Sequence, residues 1–184
     1  DITCLFPDKE IFMEERKKVG LNCLVQFLFA VYLILLVWII LFKLQLSIHE
    51  LDRIRGINLI PFYYDNEIGT GFQLKEVLEN VAIFIPYGIY LCMLKKEPGL
   101  WVKFFLILMT SFILEVLQYI LAVGGTDITD IITNTCGGMA GIGIYWSAVR
   151  IFRSRNRAET VIVVFAVVVT ILVTGGLSVL LMAN

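Results

Sequence analysis

The sequence contains 184 residues, of which 59% are hydrophobic and 17% are charged, with a mean hydropathy of +0.86. Soluble domains contain about 45–50% apolar and about 25% charged residues, so this composition excludes a soluble domain, a disordered chain and a disulfide-stapled secreted module. The 15 basic and 16 acidic residues leave a net charge of −1, which excludes a basic nucleic-acid-binding protein.

Long uncharged runs separate the charged segments of the chain. The runs cover residues 19–42, 80–94, 104–126, 131–149 and 160–184, and only Glu115 interrupts them. Because about 20 apolar residues cross the hydrocarbon core of a bilayer as a helix, we predict an all-α integral membrane bundle of five transmembrane helices. The predicted helices are about 19–46, 77–94, 100–122 and 129–149, which form a membrane core over 19–149, and an additional C-terminal helix over 159–182.

The basic residues predict the orientation of this bundle. With the N-terminus inside, the inner segments carry 11 of the 15 Lys and Arg residues, and the outer segments carry 4. Lys and Arg are enriched in the cytoplasmic loops of membrane proteins. We therefore predict a multi-pass membrane protein with a cytoplasmic N-terminal segment over residues 1–18.

The longest predicted loop covers residues 43–76 on the outer side. Residues 56–64 are apolar and aromatic but too short to span, and Pro61 prevents a continuous helix there. Two interpretations are open. The loop is either interfacial and anchored by its aromatic side chains, or partly re-entrant above a cavity that satisfies its backbone.

Polar side chains from three predicted helices fall at the outer end of the bundle. The second helix contributes Glu79 and Asn80, the third Ser111, Glu115 and Gln118, and the fourth Asp127, Asp130 and Asn134. Spacings of three and four residues align the residues of the third helix on one helix face, and likewise those of the fourth. We therefore expect these side chains to converge in one pocket that opens away from the cytosol.

Glu115 is the most informative of these residues. It has 11 uncharged residues on either side, and an ionised carboxylate at mid-depth costs about 2.5 kcal/mol or more on insertion scales. It is therefore expected to face the bundle interior. Asp127 and Asp130 have a simpler alternative, since carboxylates at a helix start commonly cap free amides. Further along the same helix, Gly137 and Gly141 form a small-xxx-small surface on which a neighbouring helix can pack closely.

Three roles fit such a pocket. Glu115, Asp127 and Asp130 could exchange a proton as catalytic acid and base, or they could hold Mg²⁺ or Ca²⁺ through oxygen ligands. The pocket could instead recognise a polar head group. The predicted binding residues are Asn58, Phe62, Glu79, Asn80, Ser111, Gln118 and Asn134.

A series of motifs over residues 57–145 resembles the VanZ-like family in order and spacing. The motifs are Asn58-Leu59-Ile60-Pro61-Phe62, Glu79-Asn80, Phe84-Ile85-Pro86-Tyr87-Gly88, Ser111-x-x-x-Glu115-x-x-Gln118 and Asp127-x-x-Asp130-x-x-x-Asn134-x-x-Gly137-x-x-x-Gly141. One position departs from the family pattern, because Gly124 stands where an Arg usually precedes the first Asp.

The resemblance implies a small multi-pass protein of the bacterial plasma membrane, of the kind named for a member that confers low-level teicoplanin resistance. It implies a phenotype rather than a reaction, so three functions stay open. The first is binding of a membrane lipid, a lipid-linked cell-wall intermediate or a lipoglycopeptide. The others are an intramembrane enzyme that modifies a cell-envelope substrate and a proton-coupled transporter.

Overall fold

The computed structural model describes residues 7–42, 56–62, 70–94, 96–123 and 125–183. Five long helices in this described part of the chain pack into one bundle. The helices are α1 (Pro7–Phe42), α2 (Thr70–Met93), α3 (Leu100–Leu121), α4 (Ile128–Phe152) and α5 (Arg155–Ala183), and two short strands are β1 (Ile57–Asn58) and β2 (Thr126–Asp127). Most of the predicted outer loop, together with Gly124, lies outside the described residues.

Two helices begin earlier than the uncharged runs indicate. α1 begins at Pro7 rather than near residue 19, and α2 begins at Thr70 rather than near residue 77. An uncharged run marks the part of a helix that hydrocarbon can surround. Backbone hydrogen bonding continues through charged turns beyond it, so the first turns of α2 carry Lys75, Glu76 and Glu79.

Four helices in the described part of the chain are long and apolar enough to cross a membrane. These segments are Val19–Leu41, Leu74–Met93, Leu100–Leu121 and Arg155–Gly176. α4 has sufficient length at 25 residues, but its Asp, Asn, Thr and Gly residues leave it less apolar than a lone spanning helix. The structure confirms an all-helical bundle with four candidate membrane spans. That α4 also spans the membrane, that the N-terminus is inside, and that the outer loop is interfacial or re-entrant stay predictions.

Glycines hold α4 against its neighbours. A Cβ atom on Gly137 would lie 2.2 Å from the carbonyl oxygen of Val81, and one on Gly141 would lie 2.0 Å from that of Ile85. From the opposite helix, a Cβ atom on Gly88 would lie 1.9 Å from the carbonyl oxygen of Gly138. The predicted small-residue surface is therefore confirmed, and the helix packed against it is α2.

Aromatic rings join α1 to α2. Phe29 stacks on Tyr32 and Tyr90, with ring centroids 6.3 and 5.3 Å apart, and lies 5.7 Å from the ring of Tyr87. The Tyr32 hydroxyl donates a hydrogen bond to the backbone oxygen of Ile83 at 2.9 Å. Aromatic pairs add about 0.5–1.5 kcal/mol each to the stability that area burial provides, so this cluster fixes α1 beside α2.

An ion cluster joins the helices at the end of the bundle remote from Glu115. Glu97 pairs with Lys103 of α3 and with Arg155 of α5, the latter at 3.0 Å. Arg155 also binds Glu159 at 2.7 Å, and the Tyr145 hydroxyl of α4 donates to the same carboxylate at 2.9 Å. The beginning of α5 is therefore tied to α3 and α4.

A short pair of strands is a non-helical feature that the sequence did not predict. Strand β1 pairs in parallel with β2, with Ile57 opposite Thr126 and Asn58 opposite Asp127. The Thr126 amide also donates to the backbone oxygen of Gly56 at 2.9 Å. This pairing holds the described part of the long loop, residues 56–62, against the segment that leads into α4.

Candidate functional site

A cavity of about 440 Å³ lies where α1 and α3 end and where α2 and α4 begin. One wall is apolar and is formed by Ile39, Ile40, Ala82 and Ile83. The remaining lining is polar and comprises Lys75, Glu76, Glu79, Asn80, Glu115, Gln118, Asp130 and Asn134. Six of these polar residues belong to the predicted site, so the expected convergence of three helices at one end of the bundle is observed.

Glu115 faces the interior of the bundle, as expected. Its side chain lies on the packed face of α3 and only 1% of the residue is exposed. Its Oε2 atom accepts a hydrogen bond from the backbone amide of Asp127 at 3.0 Å, and the Thr126 hydroxyl donates to the Glu115 backbone oxygen at 3.1 Å. The donating amide belongs to the residue that caps α4, and the helix dipole at this end favours negative charge.

Asp127 caps α4, which is the simpler of its two interpretations. Its Oδ1 atom accepts from the Thr129 amide at 2.7 Å, and its Oδ2 atom accepts from the Asn58 side chain at 3.0 Å. The Asn58 oxygen in turn accepts from the Ile60 amide at 3.1 Å. Through these two oxygens, Asp127 of β2 therefore connects β1 to the start of α4.

Asp130 and Asn80 form the polar contact between α2 and α4. The Asn80 side chain donates to Asp130 Oδ1 at 2.7 Å, and both residues line the cavity. Glu79 lies at the rim, where it pairs with Lys75 at 3.6 Å while the two side chains remain 57% and 69% exposed. An ion pair this exposed contributes little to stability. Because both side chains are exposed, both groups are accessible to a ligand.

Two buried amides line the floor of the cavity. The Gln118 side chain donates to the Ile40 backbone oxygen at 2.9 Å, and the Asn134 side chain donates to Ser111 Oγ at 3.0 Å. Among the described residues, the amide oxygens of Gln118 and Asn134 have no hydrogen-bond partner. Buried polar atoms are nearly always paired in native proteins, so these two oxygens distinguish the cavity from an ordinary packing gap.

Four predicted site residues lie outside this cavity. Asn58 and Asp127 line an adjoining cavity of about 330 Å³, which shares Glu76, Gln118 and Asp130 with the first one. Ser111 supports Asn134 from beneath the floor. The Phe62 side chain is 55% exposed, and it is the backbone amide of this residue that contacts the site, through a hydrogen bond to Thr129 Oγ1 at 3.0 Å.

Sequence reasoning missed several lining residues. Glu76 borders both cavities, and its spacing of three from Glu79 would have revealed it if α2 had been predicted to begin at Thr70. Ile39 and Ile40 carry no such signal, because their position depends on how α1 packs against α2 and α3.

The metal prediction for Glu115, Asp127 and Asp130 gains no support from this geometry. The described residues contain no group of three or more His, Cys, Asp or Glu side chains that could hold a metal ion. Both oxygens of Asp127 instead accept hydrogen bonds, one from the Thr129 amide and one from the Asn58 side chain.

Comparison with known proteins agrees with the motif series. Residues 29–153 match the family described as VanZ/LLP1. A relative named Protein VanZ, from Enterococcus faecium, is 44% identical over 120 residues, which are 64% of this chain and 71% of the relative. No solved structure matches the chain. The family match includes every residue of the cavity and ends just before α5. Because the match covers more than half of the sequence, the chain belongs to the VanZ/LLP1 family.

Proposed function

We propose that this protein uses the cavity to bind a membrane lipid, a lipid-linked cell-wall intermediate or a lipoglycopeptide, and thereby contributes to teicoplanin-type resistance. It acts in the bacterial plasma membrane with its N-terminus in the cytoplasm and the cavity at the outer leaflet. The single observation that carries the proposal is the pairing of an apolar wall with a polar floor in one cavity. Such a cavity suits a ligand with an apolar chain and a polar end.

The size of the cavity limits what it holds. Sites for small molecules measure about 300–1,000 Å³, and this cavity of about 440 Å³ lies near the lower limit. It accommodates a head group and the first carbons of a chain, but not a whole lipid or glycopeptide. The rest of the ligand would extend into the surrounding bilayer along the exposed apolar surface of the bundle.

Filling the cavity tests this function. Ala82 lines the cavity and is exposed, so Ala82→Phe adds a ring there with little effect on the core. The matched control is Ala140→Phe, at an exposed position of α4 outside the cavity. In a teicoplanin-sensitive host with equal membrane expression, we expect Ala82→Phe to reduce the teicoplanin inhibitory concentration to that of cells without the protein. The control should retain resistance, and equal resistance for both variants would contradict the proposal.

An intramembrane enzyme is the second candidate, and one observation favours it. Glu115 is 1% exposed, whereas Asp130 is half-buried at the border of both cavities. Two carboxyl groups in different surroundings are a common arrangement for a catalytic acid and base. Glu115→Gln and Asp130→Asn each keep an acceptor oxygen for the hydrogen bond of the wild-type residue. Catalysis predicts that either change alone abolishes resistance, whereas binding predicts a partial loss.

The transporter alternative ranks last. The described backbones of α2 and α4 meet at Gly137 and Gly141 beyond the cavity, and this contact favours a closed floor over a path through the bundle.

A further inference from the structure

Another cavity lies at the end of the bundle remote from Glu115. This arginine cavity measures about 350 Å³ and lies between the last turns of α4, the beginning of α5 and the segment before α3. Its lining residues are Glu97, Tyr145, Trp146, Val149, Arg150 and Arg155. None of these six residues lines either cavity of the candidate site, so the arginine cavity is separate from that site.

One positive charge of the arginine cavity is not balanced. Glu97 pairs with both Lys103 and Arg155. Arg155 also pairs with Glu159, so the ion cluster contains two cations and two carboxylates. Arg150 lines the cavity and is exposed, and in the described part of the chain it pairs with no carboxylate. The charge of Arg150 is therefore available to an anion in the cavity.

The Arg155 guanidinium is held in place beside this charge. Its Nε atom donates to Glu159 at 2.7 Å, and its Nη1 atom donates to Glu97 at 3.0 Å. Its Nη2 atom donates to the backbone oxygen of Cys92 at 3.0 Å. A guanidinium group carries five N–H donors, so two of them remain, and the side chain is still 49% exposed. The arginine cavity therefore offers donors from two arginines.

The surroundings of the cavity are apolar as well as basic. Trp146 and Val149 form part of the lining, and Trp146 is 50% exposed. Ile151, which follows Arg150 directly, is 76% exposed. Tryptophan is enriched where a membrane protein crosses from hydrocarbon to water. An anion that also carries an apolar chain fits this place better than a small soluble anion.

We propose that the arginine cavity binds the phosphate head group of an anionic phospholipid, in the leaflet that the predicted orientation makes cytoplasmic. Arg150 and the remaining N–H groups of Arg155 donate to phosphate oxygens, and the acyl chains pass Trp146 into the bilayer. A planar guanidinium can donate two parallel hydrogen bonds to a phosphate, and basic pockets between membrane helices hold anionic head groups. A zwitterionic head group also brings an ammonium group, which the arginines repel. This inference is independent of the ligand proposed for the candidate site.

Competition between lipids tests the arginine cavity. The protein is reconstituted in nanodiscs with equal amounts of phosphatidylglycerol, phosphatidylethanolamine and phosphatidylcholine that carry the same acyl chains. Native mass spectrometry then identifies the lipids that remain bound after release into detergent. Each arginine variant is measured alone and together with Ala82→Phe, so that lipid in the cavity beside Glu115 is counted separately.

We expect the wild-type protein to retain phosphatidylglycerol about fivefold over either zwitterionic lipid, which is the factor that one arginine near a membrane surface contributes. Arg150→Gln should remove this preference. The matched control is Arg157→Gln, which removes the same charge from an exposed residue of α5 outside the cavity and should keep the preference. Ala82→Phe should also keep it, because the two cavities share no lining residue.

Four results would overturn the inference. Equal retention of the three lipids by the wild type would exclude selection of an anionic head group. An equal effect of Arg150→Gln and Arg157→Gln would show a diffuse surface charge in place of a site. Displacement of the lipid by inorganic phosphate, at matched ionic strength, would make a free anion the ligand.

The fourth result separates this inference from the proposed function. A preference that is lost in Ala82→Phe but kept in Arg150→Gln would assign the lipid to the cavity beside Glu115, and would support the proposed function instead. Conversely, Ala82→Phe cells that keep teicoplanin resistance would contradict the proposed function, while a preference that depends on Arg150 would still establish the arginine cavity as a lipid site.

Discussion

The contact between α2 and α4 at Gly137 leads to a quantitative prediction. A Cβ atom there would lie 2.2 Å from the carbonyl oxygen of Val81, whereas ordinary contact begins at 3.4 Å. In Gly137→Ala the two helices would therefore have to separate locally by about 1.2 Å, because backbone atoms cannot rotate away as a side chain can. Overpacking of this kind costs about 1–3 kcal/mol or more, while the better helix propensity of Ala returns about 1 kcal/mol at most.

The same displacement reaches the site. Asn80 precedes Val81 directly, and Asp130 lies two turns before Gly137 on α4. Widening this end of the contact lengthens the hydrogen bond of 2.7 Å between Asn80 and Asp130 beyond useful range. We therefore expect Gly137→Ala to lower teicoplanin resistance as well as the free energy of unfolding.

Gly143→Ala is the matched control, since a Cβ atom on this exposed glycine of α4 has no atom within 4 Å. Unfolding in detergent, followed by circular dichroism during titration with sodium dodecyl sulfate, would measure both variants. We expect Gly137→Ala to be less stable than Gly143→Ala by about 1–3 kcal/mol or more, because both variants gain the same helix propensity from Ala. Equal stability of the two variants would refute the close contact between α2 and α4.

Three further predictions concern other parts of the molecule. Asp127→Ala should cost about 1–2 kcal/mol through loss of the helix cap and release the β1 segment, which limited proteolysis near residue 57 would detect; an unchanged cleavage pattern would argue against the strand pair. Glu97→Gln should destabilise the bundle in the same detergent titration by about 1–3 kcal/mol, because it leaves the buried ammonium group of Lys103 without its carboxylate partner; a neutral effect would show that the cluster contributes nothing. A tag fused before residue 1 should become accessible to antibody only after the cells are permeabilised, and labelling of intact cells would reverse the predicted orientation.

Local periodicity predicted the helix faces correctly. Ser111, Glu115 and Gln118 are spaced by four and three residues, and all three are buried on the packed face of α3. Gly137 and Gly141 were likewise recognised as a packing surface. These features follow from the geometry of a single helix, so a single sequence is sufficient to reveal them.

Contacts between distant segments were not predictable in the same way. The pairing of Asn58 with Asp127 spans 69 residues, and the bond from Gln118 to Ile40 spans 78. Each depends on which helices become neighbours, and no spacing in the sequence encodes that choice. For the same reason the role of Asp127 as a cap was open until its partners were known.

The position of α4 has a consequence for how the protein enters the membrane. α4 packs against α2, α3 and α5, yet among the described helices the four that qualify as spanning by composition do not include it. A helix with an aspartate cap and a second aspartate in its first turn partitions poorly into lipid by itself. During biosynthesis α4 is therefore expected to leave the translocon only together with α2 and α3, which shield its polar face. Mutations that loosen this partnership are therefore expected to lower the amount of protein in the membrane.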